Sequence, residues 1–221
     1  MTVPMDSKAG SSSEDALENL IEWIRLNTKA VGIGVAVVAV VVAGWFVYRD
    51  SEINKENAAG KGYLDAQRSV GAGNLPLAQA DLEKMLPRYH GTTSGTLAAI
   101  LLAQVHYQGG KYAEGIKVLE AAAVASPASL RASVQALIGA GLVDQKKYAD
   151  AAKAYAKAAE LTSDLTQQEG MKAEAARAWQ LANNPVEATK LWKGILENLE
   201  SPHASEARVR LGELQAAGAG K

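Results

Sequence analysis

The chain has 221 residues, of which 48% are hydrophobic and 21% charged, and its formal net charge is -1. This length fits one or two compact domains. The chain has no cysteine, which excludes disulfide scaffolds, zinc–thiolate sites, iron–sulfur clusters and thiol nucleophiles. A near-zero charge argues against nucleic-acid binding, which needs a basic field. The 42 alanines and the low aromatic content of 5% are typical of closely packed helices.

An amphipathic helix is predicted near the N-terminus. Apolar residues recur there at helical spacing, while acidic residues occupy much of the opposite face. Ser11 and Glu14 have the spacing of a capping box at its start. Such a helix lies at a membrane surface or docks on a partner protein, and its acidic character weakens lipid binding relative to protein docking. The recurring apolar residues are Leu17, Leu20, Ile21 and Ile24, with Trp23 beside them.

A stretch of 19 residues without a charge follows, from Ala30 to Tyr48. At about 1.5 Å per residue, a helix of this length crosses a hydrocarbon core of roughly 30 Å. We therefore predict a transmembrane helix over 30–48, with an N-terminal tail over 1–29 and a repeat domain over 49–221. The residues assigned to the membrane anchor are Ala30, Val31, Gly32, Ile33, Gly34, Ala36, Val40, Gly44, Trp45 and Tyr48.

Two other interpretations of this segment remain open. It could be the core helix of a soluble protein, although soluble cores rarely need an all-round apolar stretch of this length. It could also be a signal peptide cleaved after Ala43, although Trp45 and the residues after it prolong the apolar stretch beyond that position. The flanking charges do not decide orientation, because long domains cross membranes largely regardless of charge. Gly32 and Ala36 form a small-xxx-small pair of the kind that associates helices in membranes.

Four segments of the remaining chain align with one another, at intervals of 37, 36 and 37 residues. Each follows a turn-forming sequence, has a small fourth residue and has a large apolar eighth residue. This period predicts helix–turn–helix units, in which the small residue admits a close helix contact and the large one fills the space between units. The stretch from His203 to Leu214 is predicted to be a capping helix. The predicted packing residues are Leu75, Ala78 and Leu82; Tyr112, Gly115 and Leu119; Tyr148, Ala151 and Tyr155; and Pro185, Ala188 and Trp192.

The pattern of Gly110, Tyr112 and Gly115, repeated by Tyr148 and Ala151, resembles tetratricopeptide repeats. The resemblance covers about residues 55 to 216 and implies an all-α fold. That fold is a tetratricopeptide-like α-solenoid of about four helix-turn-helix units plus a capping helix, following a single N-terminal transmembrane helix.

The whole layout, with an acidic amphipathic segment and an anchor that ends in Gly44-Trp45-x-x-Tyr48, resembles the YfgM-type ancillary family of the bacterial Sec translocon. This resemblance implies a single-pass protein of the bacterial inner membrane with its C-terminal domain in the periplasm. It also implies that the Sec translocon and periplasmic chaperones are its partners.

No catalytic signature is visible in the sequence. His90, His106 and His203 are far apart and lack the paired spacing of a metal site. Gly71-x-Gly73 lacks the continuation of a phosphate loop and is predicted to be a turn between helices. Acidic and basic residues are interleaved through the repeats, so there is no steering field for nucleic acid. We expect a protein with no enzymatic activity, no cofactor and no metal.

The sequence therefore predicts a membrane-anchored protein–protein interaction scaffold. The anchor raises the effective concentration of the repeat surface for partners at the membrane. Two alternatives are an accessory or assembly subunit of another envelope complex, and a secreted soluble binding protein released after Ala43. The first helices of the units would line a partner groove. Its candidate residues, each of which could equally be core or plain surface, are Tyr63, Gln104, Tyr107, Gln135 and Arg177.

Overall fold

The computed structural model describes the backbone of residues 11–219 and the side chains of residues 16–217. It divides into two units, Met1–Ile53 and Asn54–Lys221. The side chains of the predicted capping box, Ser11 and Glu14, lie outside the described side chains. Within 11–219 all regular structure is helical and there is no strand. The helices are α1 (Ser11–Leu26), α2 (Thr28–Gly71), α3 (Leu75–Met85), α4 (Thr93–Gln108), α5 (Tyr112–Ala123), α6 (Ala128–Asp144), α7 (Tyr148–Glu160), α8 (Leu165–Leu181), α9 (Pro185–Leu196) and α10 (Ala204–Ala219).

The first unit consists of α1 and the N-terminal part of α2. Helical hydrogen bonding continues through the single residue between them, because Asn27 N donates to Trp23 O at 3.0 Å and Val31 N donates to Asn27 O at 2.9 Å. Among the described residues, α2 is the one helix long and apolar enough to cross a membrane. It does not end at Tyr48, where the predicted membrane helix ends. It continues to Gly71, and no proline interrupts residues 49–71.

The second unit is a stack of helical hairpins. Residues 54–71 of α2 pack with α3, because Ala59 and Ala66 share a buried cluster with Leu82 and Met85. The following pairs are α4 with α5, α6 with α7, and α8 with α9. The segments aligned in the sequence are α3, α5, α7 and α9. Helix α10 packs on α9 and continues to Ala219, five residues beyond the predicted end of the capping helix at Leu214. Within residues 11–219 the prediction of an all-helical fold built from helix–turn–helix units is confirmed.

The turn inside each hairpin has the same backbone conformation. One residue adopts a left-handed conformation, and the next N–H donates to the carbonyl five residues earlier, which is the Schellman arrangement that ends a helix. The left-handed residues are Gly73, Gly110, Lys146 and Asn183, with φ of 75°, 70°, 59° and 56°. The returning bonds run from Asn74 N to Ser69 O, Lys111 N to His106 O, Lys147 N to Leu142 O, and Asn184 N to Trp179 O. Repetition of this turn fixes where every second helix begins.

Alanine forms much of the core between the hairpins. At the fourth position of the second helices Ala78, Ala151 and Ala188 are fully buried, and Gly115 is also buried. At the eighth position the buried residues are Leu82, Leu119, Tyr155 and Trp192. At the first position Leu75, Tyr112 and Tyr148 are half-buried, whereas Pro185 is exposed. Proline suits that place because the first turn of a helix has no internal partner for an N–H.

The N-terminus of α4 is held by two acceptors. Thr93 N and Ser94 N donate to the two carboxylate oxygens of Glu56 at 2.8 Å each, and Gly95 N donates to Thr92 Oγ1 at 2.9 Å. These bonds satisfy N–H groups that have no partner within the helix. Burial acts to raise the pKa of Glu56, but the hydrogen bonds from Ser94 and Thr93 outweigh it and hold that pKa below its usual value. Glu56 thereby ties the first hairpin to the second.

Candidate protein-binding surface

The first helices of the hairpins carry the candidate surface, because in a helical solenoid they line the extended concave face. These elements are residues 54–71 of α2 and the helices α4, α6 and α8. The five predicted groove residues differ in what they contact. Gln104 is exposed on α4, whereas the other four are partly buried.

Tyr107 joins two hairpins. Its hydroxyl donates to Leu137 O on α6 at 3.0 Å, and its ring lies against Gly115 on α5 and Gly141 on α6. Burial, followed by the nearby charge of Asp144, raises the pKa of the Tyr107 hydroxyl, so this group is a hydrogen-bond donor at neutral pH. The glycines explain how a tyrosine fits here, since a Cβ at either one would collide with its ring or hydroxyl. The structure thus gives Tyr107 a packing role between units.

Arg177 is engaged in a charged network at the C-terminal end of the stack. Its Nε atom donates to Glu206 Oε1 on α10 at 2.8 Å, and its Nη1 atom donates to Glu174 at 2.6 Å. The hydrogen bond to Glu206 is the main cause that raises the pKa of Arg177, and the same bond lowers the pKa of Glu206. Arg210 adds a second ion pair to Glu206 at 3.7 Å. This network attaches the last helix, and it occupies the guanidinium of Arg177.

Tyr155, a predicted packing residue, lies against Gly139 on α6. Burial, followed by the charges of Glu174 and Asp144, raises the pKa of Tyr155 to about 12. Tyr63 packs beside the cluster that contains Ala66 and Leu82. Both tyrosines therefore contribute more area to packing than to the surface.

Gln135 lines a cavity of about 330 Å³ between α5, α6 and α7. Its apolar lining includes Ile138 and Val124, and Val124 is 84% exposed. Glu120 and Lys157 place opposite charges at the same cavity. An exposed apolar side chain between charged groups is typical of a protein-contact surface. The sequence gives no signal of the exposure of Val124, since an apolar residue at the end of a helix can be either covered or exposed.

A second cavity, of about 210 Å³, lies between α3, α4 and α5. Its lining is mainly apolar and includes Leu86, Pro87, Ala99 and Val118. His90 contributes to the lining, with Nε2 3.5 Å from Ala121 O. This cavity also follows the end of a second helix, so the two cavities occupy comparable places in successive units.

The remaining histidines do not form a site with His90. His106 is buried in α4, and its Nδ1 atom has no hydrogen-bond partner among the described residues. His203 precedes α10. Within the described residues no group of three or more His, Cys, Asp or Glu side chains is placed to hold a metal ion. Gly73 ends the first helix of the first hairpin in the left-handed turn described above, as the turn prediction for Gly71-x-Gly73 requires.

The stacked hairpins define a helical repeat protein of the interaction-scaffold class. Residues 22–201 match the model of the family described as a tetratricopeptide repeat-like domain, and the chain belongs to that family. A comparison with curated protein sequences found no match.

Solved structures share the fold at low sequence identity. The TPR-like repeats of a Podosopora anserina protein assigned as a kinesin light chain superpose with a TM-score of 0.57 at 15% identity, over 75% of this chain and 89% of that chain. A single-substitution variant of the same repeats gives the same values. The pilF protein of Pseudomonas aeruginosa superposes with a TM-score of 0.53 at 17% identity, over 75% of this chain and 71% of that chain. At these identities the comparisons establish the fold alone.

Proposed function

We propose that this chain is a single-pass scaffold of the bacterial inner membrane, serving as an ancillary subunit of the Sec translocon that links it to periplasmic chaperones or emerging chains. The observation that carries the membrane part is the apolar segment over 30–48. Its large apolar side chains from Ile33 to Tyr48 are exposed. Lipid is the solvent in which such a helix is stable.

The end of the segment also favours a membrane interface. The guanidinium of Arg49 lies 5.4 Å from the ring centre of Trp45, and that ring contacts Phe46 edge to face. An aromatic ring next to a cation is suited to the headgroup region. Cleavage after Ala43 is the alternative, and N-terminal sequencing of the mature protein distinguishes it by a start at Gly44.

The scaffold part is supported by the repeat fold and by the surface on its first helices. We propose that Gln104 and Gln135 contact the partner, with Tyr63 beside them. Their side chains are polar and uncharged, which favours contacts with a polypeptide over a nucleic acid or another highly charged ligand. The Sec partners and the periplasmic location come from the sequence resemblance.

The test is purification of the full-length protein from membranes in mild detergent, with detection of translocon subunits. We expect the subunits to co-purify with the native protein and with Gln79→Arg, a substitution on a second helix. We expect Gln104→Arg, the same change on a first helix, to reduce their recovery. Absence of the subunits beside a different stable complex would replace the Sec proposal with that of an accessory subunit.

Protease accessibility tests the proposed orientation. The C-terminal domain should be digested in spheroplasts and protected in inverted vesicles. Protection in spheroplasts would contradict a periplasmic domain.

A further inference from the structure

Helix α1 has an apolar face that the described residues leave uncovered. At 100° of rotation per residue, the five apolar side chains that form this face lie within an arc of about 160° around the helix axis. The carboxylates of Glu18 and Glu22 lie on the opposite side of the helix. All five are exposed, from 39% for Ile24 to 58% for Leu17. This apolar face consists of Leu17, Leu20, Ile21, Trp23 and Ile24.

The apolar face continues into α2. A shallow cavity with a mainly apolar lining is formed by Trp23 of α1 together with Ala30, Val31, Gly34, Val35 and Val38 of α2. Asn27 belongs to neither helix, so the chain can change direction between α1 and α2. The apolar face of α1 and the first turns of the apolar segment over 30–48 therefore border the same space. If the segment over 30–48 is in lipid, that space is the upper part of the acyl-chain region.

We propose that α1 is an interfacial helix that lies on the bilayer, with its apolar face among the acyl chains and Glu18 and Glu22 toward water. This inference rests on the proposed membrane span. Because α1 is joined to the span by one residue, its effective concentration at the bilayer is high, and a modest affinity is enough to keep it there.

The acidic charge of α1 does not prevent this placement. An α-helix with its side chains is about 10–12 Å across, which is longer than the Debye length of about 8 Å at physiological salt. Carboxylates on the far side of α1 are thus largely screened from lipid phosphates. Arg25 and Lys29 flank the junction at Asn27 and supply positive charge where the headgroups would lie.

The absence of cysteine allows a direct test with the full-length protein, because each introduced cysteine is the unique labelling site. Leu20→Cys, Glu22→Cys and Val40→Cys are each labelled with a nitroxide. The proteins are reconstituted in vesicles of phosphatidylcholine with a minority of phosphatidylglycerol. Electron paramagnetic resonance then measures collisions with oxygen, which concentrates in lipid, and with a nickel chelate, which stays in water. Leu20 and Glu22 are both exposed, so neither substitution disturbs a core.

We expect the label at position 20 to collide often with oxygen and rarely with the nickel chelate. We expect the label at position 22 to collide often with the nickel chelate and rarely with oxygen. Equal access of nickel to both would overturn the inference and favour a partner protein as the occupant of this face. Spin–spin broadening at position 20, with neither reagent reaching it, would overturn it in favour of a second copy of the chain. The label at position 40 separates the two proposals: if it is in lipid while position 20 is in water, only the interfacial helix is wrong. If position 40 is in water, the membrane span is wrong as well.

Discussion

The ring of Tyr107 lies against Gly115, and Gly115 is the one glycine among the four equivalent positions of the second helices. At that position the other hairpins have alanine. We expect Gly115→Ala to lower the free energy of unfolding by about 1–3 kcal/mol, because the added Cβ would be forced into the ring. In a Tyr107→Val background the same substitution should cost much less, since the equivalent residues Val70 and Val143 are valines.

The native protein, Gly115→Ala, Tyr107→Val and the double variant are unfolded by heat in detergent and followed by circular dichroism. The four unfolding free energies give the coupling energy between Tyr107 and Gly115. Gly212→Ala on α10 is the matched control, because a Cβ there meets no atom within 4 Å. It should be neutral or stabilise by up to about 1 kcal/mol through helix propensity. Equal losses from Gly115→Ala in both backgrounds would show that the ring is not the cause.

Glu56 gives the junction between the first two hairpins a pH dependence. Its pKa is lowered in the folded state, so its contribution is present above the pKa of the unfolded chain and is lost as pH falls through the folded pKa. We expect Glu56→Gln to cost about 1 kcal/mol at neutral pH, as loss of a helix cap does. The difference from the native protein should shrink as the solution becomes acidic. Unfolding curves over a pH series check this, with the exposed Glu160→Gln as control. A pH-independent difference would contradict the role of the carboxylate charge.

Lys146 holds a left-handed conformation, with φ of 59°, at a place where two of the four hairpins use glycine. Lys146→Gly should stabilise the protein by about 0.5–1 kcal/mol, because glycine adopts this conformation without a Cβ clash. The neighbouring Lys147 has φ of -87°, so Lys147→Gly should give no gain. The two midpoints of chemical unfolding provide the comparison. A gain from both substitutions would point to a cause other than the turn.

Among the described residues, the buried side-chain polar atom that has no hydrogen-bond partner is Nδ1 of His106. Replacement by phenylalanine keeps a ring of similar shape and removes the unpaired nitrogen, so we expect a gain of about 1 kcal/mol. This gain corresponds to a rise of roughly 2–4 °C in Tm for a domain of this size. His90→Phe, at an exposed position, should change Tm little. A lower Tm for His106→Phe would show that a water molecule or another group satisfies the nitrogen.

The sequence allowed the starts of the second helices to be predicted, because the small and large residues repeat at a constant distance from a local turn. It did not reveal what the first-helix residues contact. Tyr107 and Arg177 occupy positions that suited a groove, yet the partner of each lies about thirty residues further along the chain. The acceptor role of Glu56 likewise depends on an α4 N-terminus more than thirty residues away. Spacing within one helix specifies a face, whereas the group across that face is set by packing.

The order of helix contacts in the repeat domain has a consequence for how it folds. Nearly all close packing joins helices that are consecutive in the chain, and α4 with α6 is the main exception. Contacts of this kind close only short loops, so the entropy of loop closure is small and folding is fast. Each hairpin can form when its own residues are available and can then serve as a template for the next. The domain can therefore fold progressively, hairpin by hairpin, while only the N-terminal part of the chain is available and before its C-terminal helix is present.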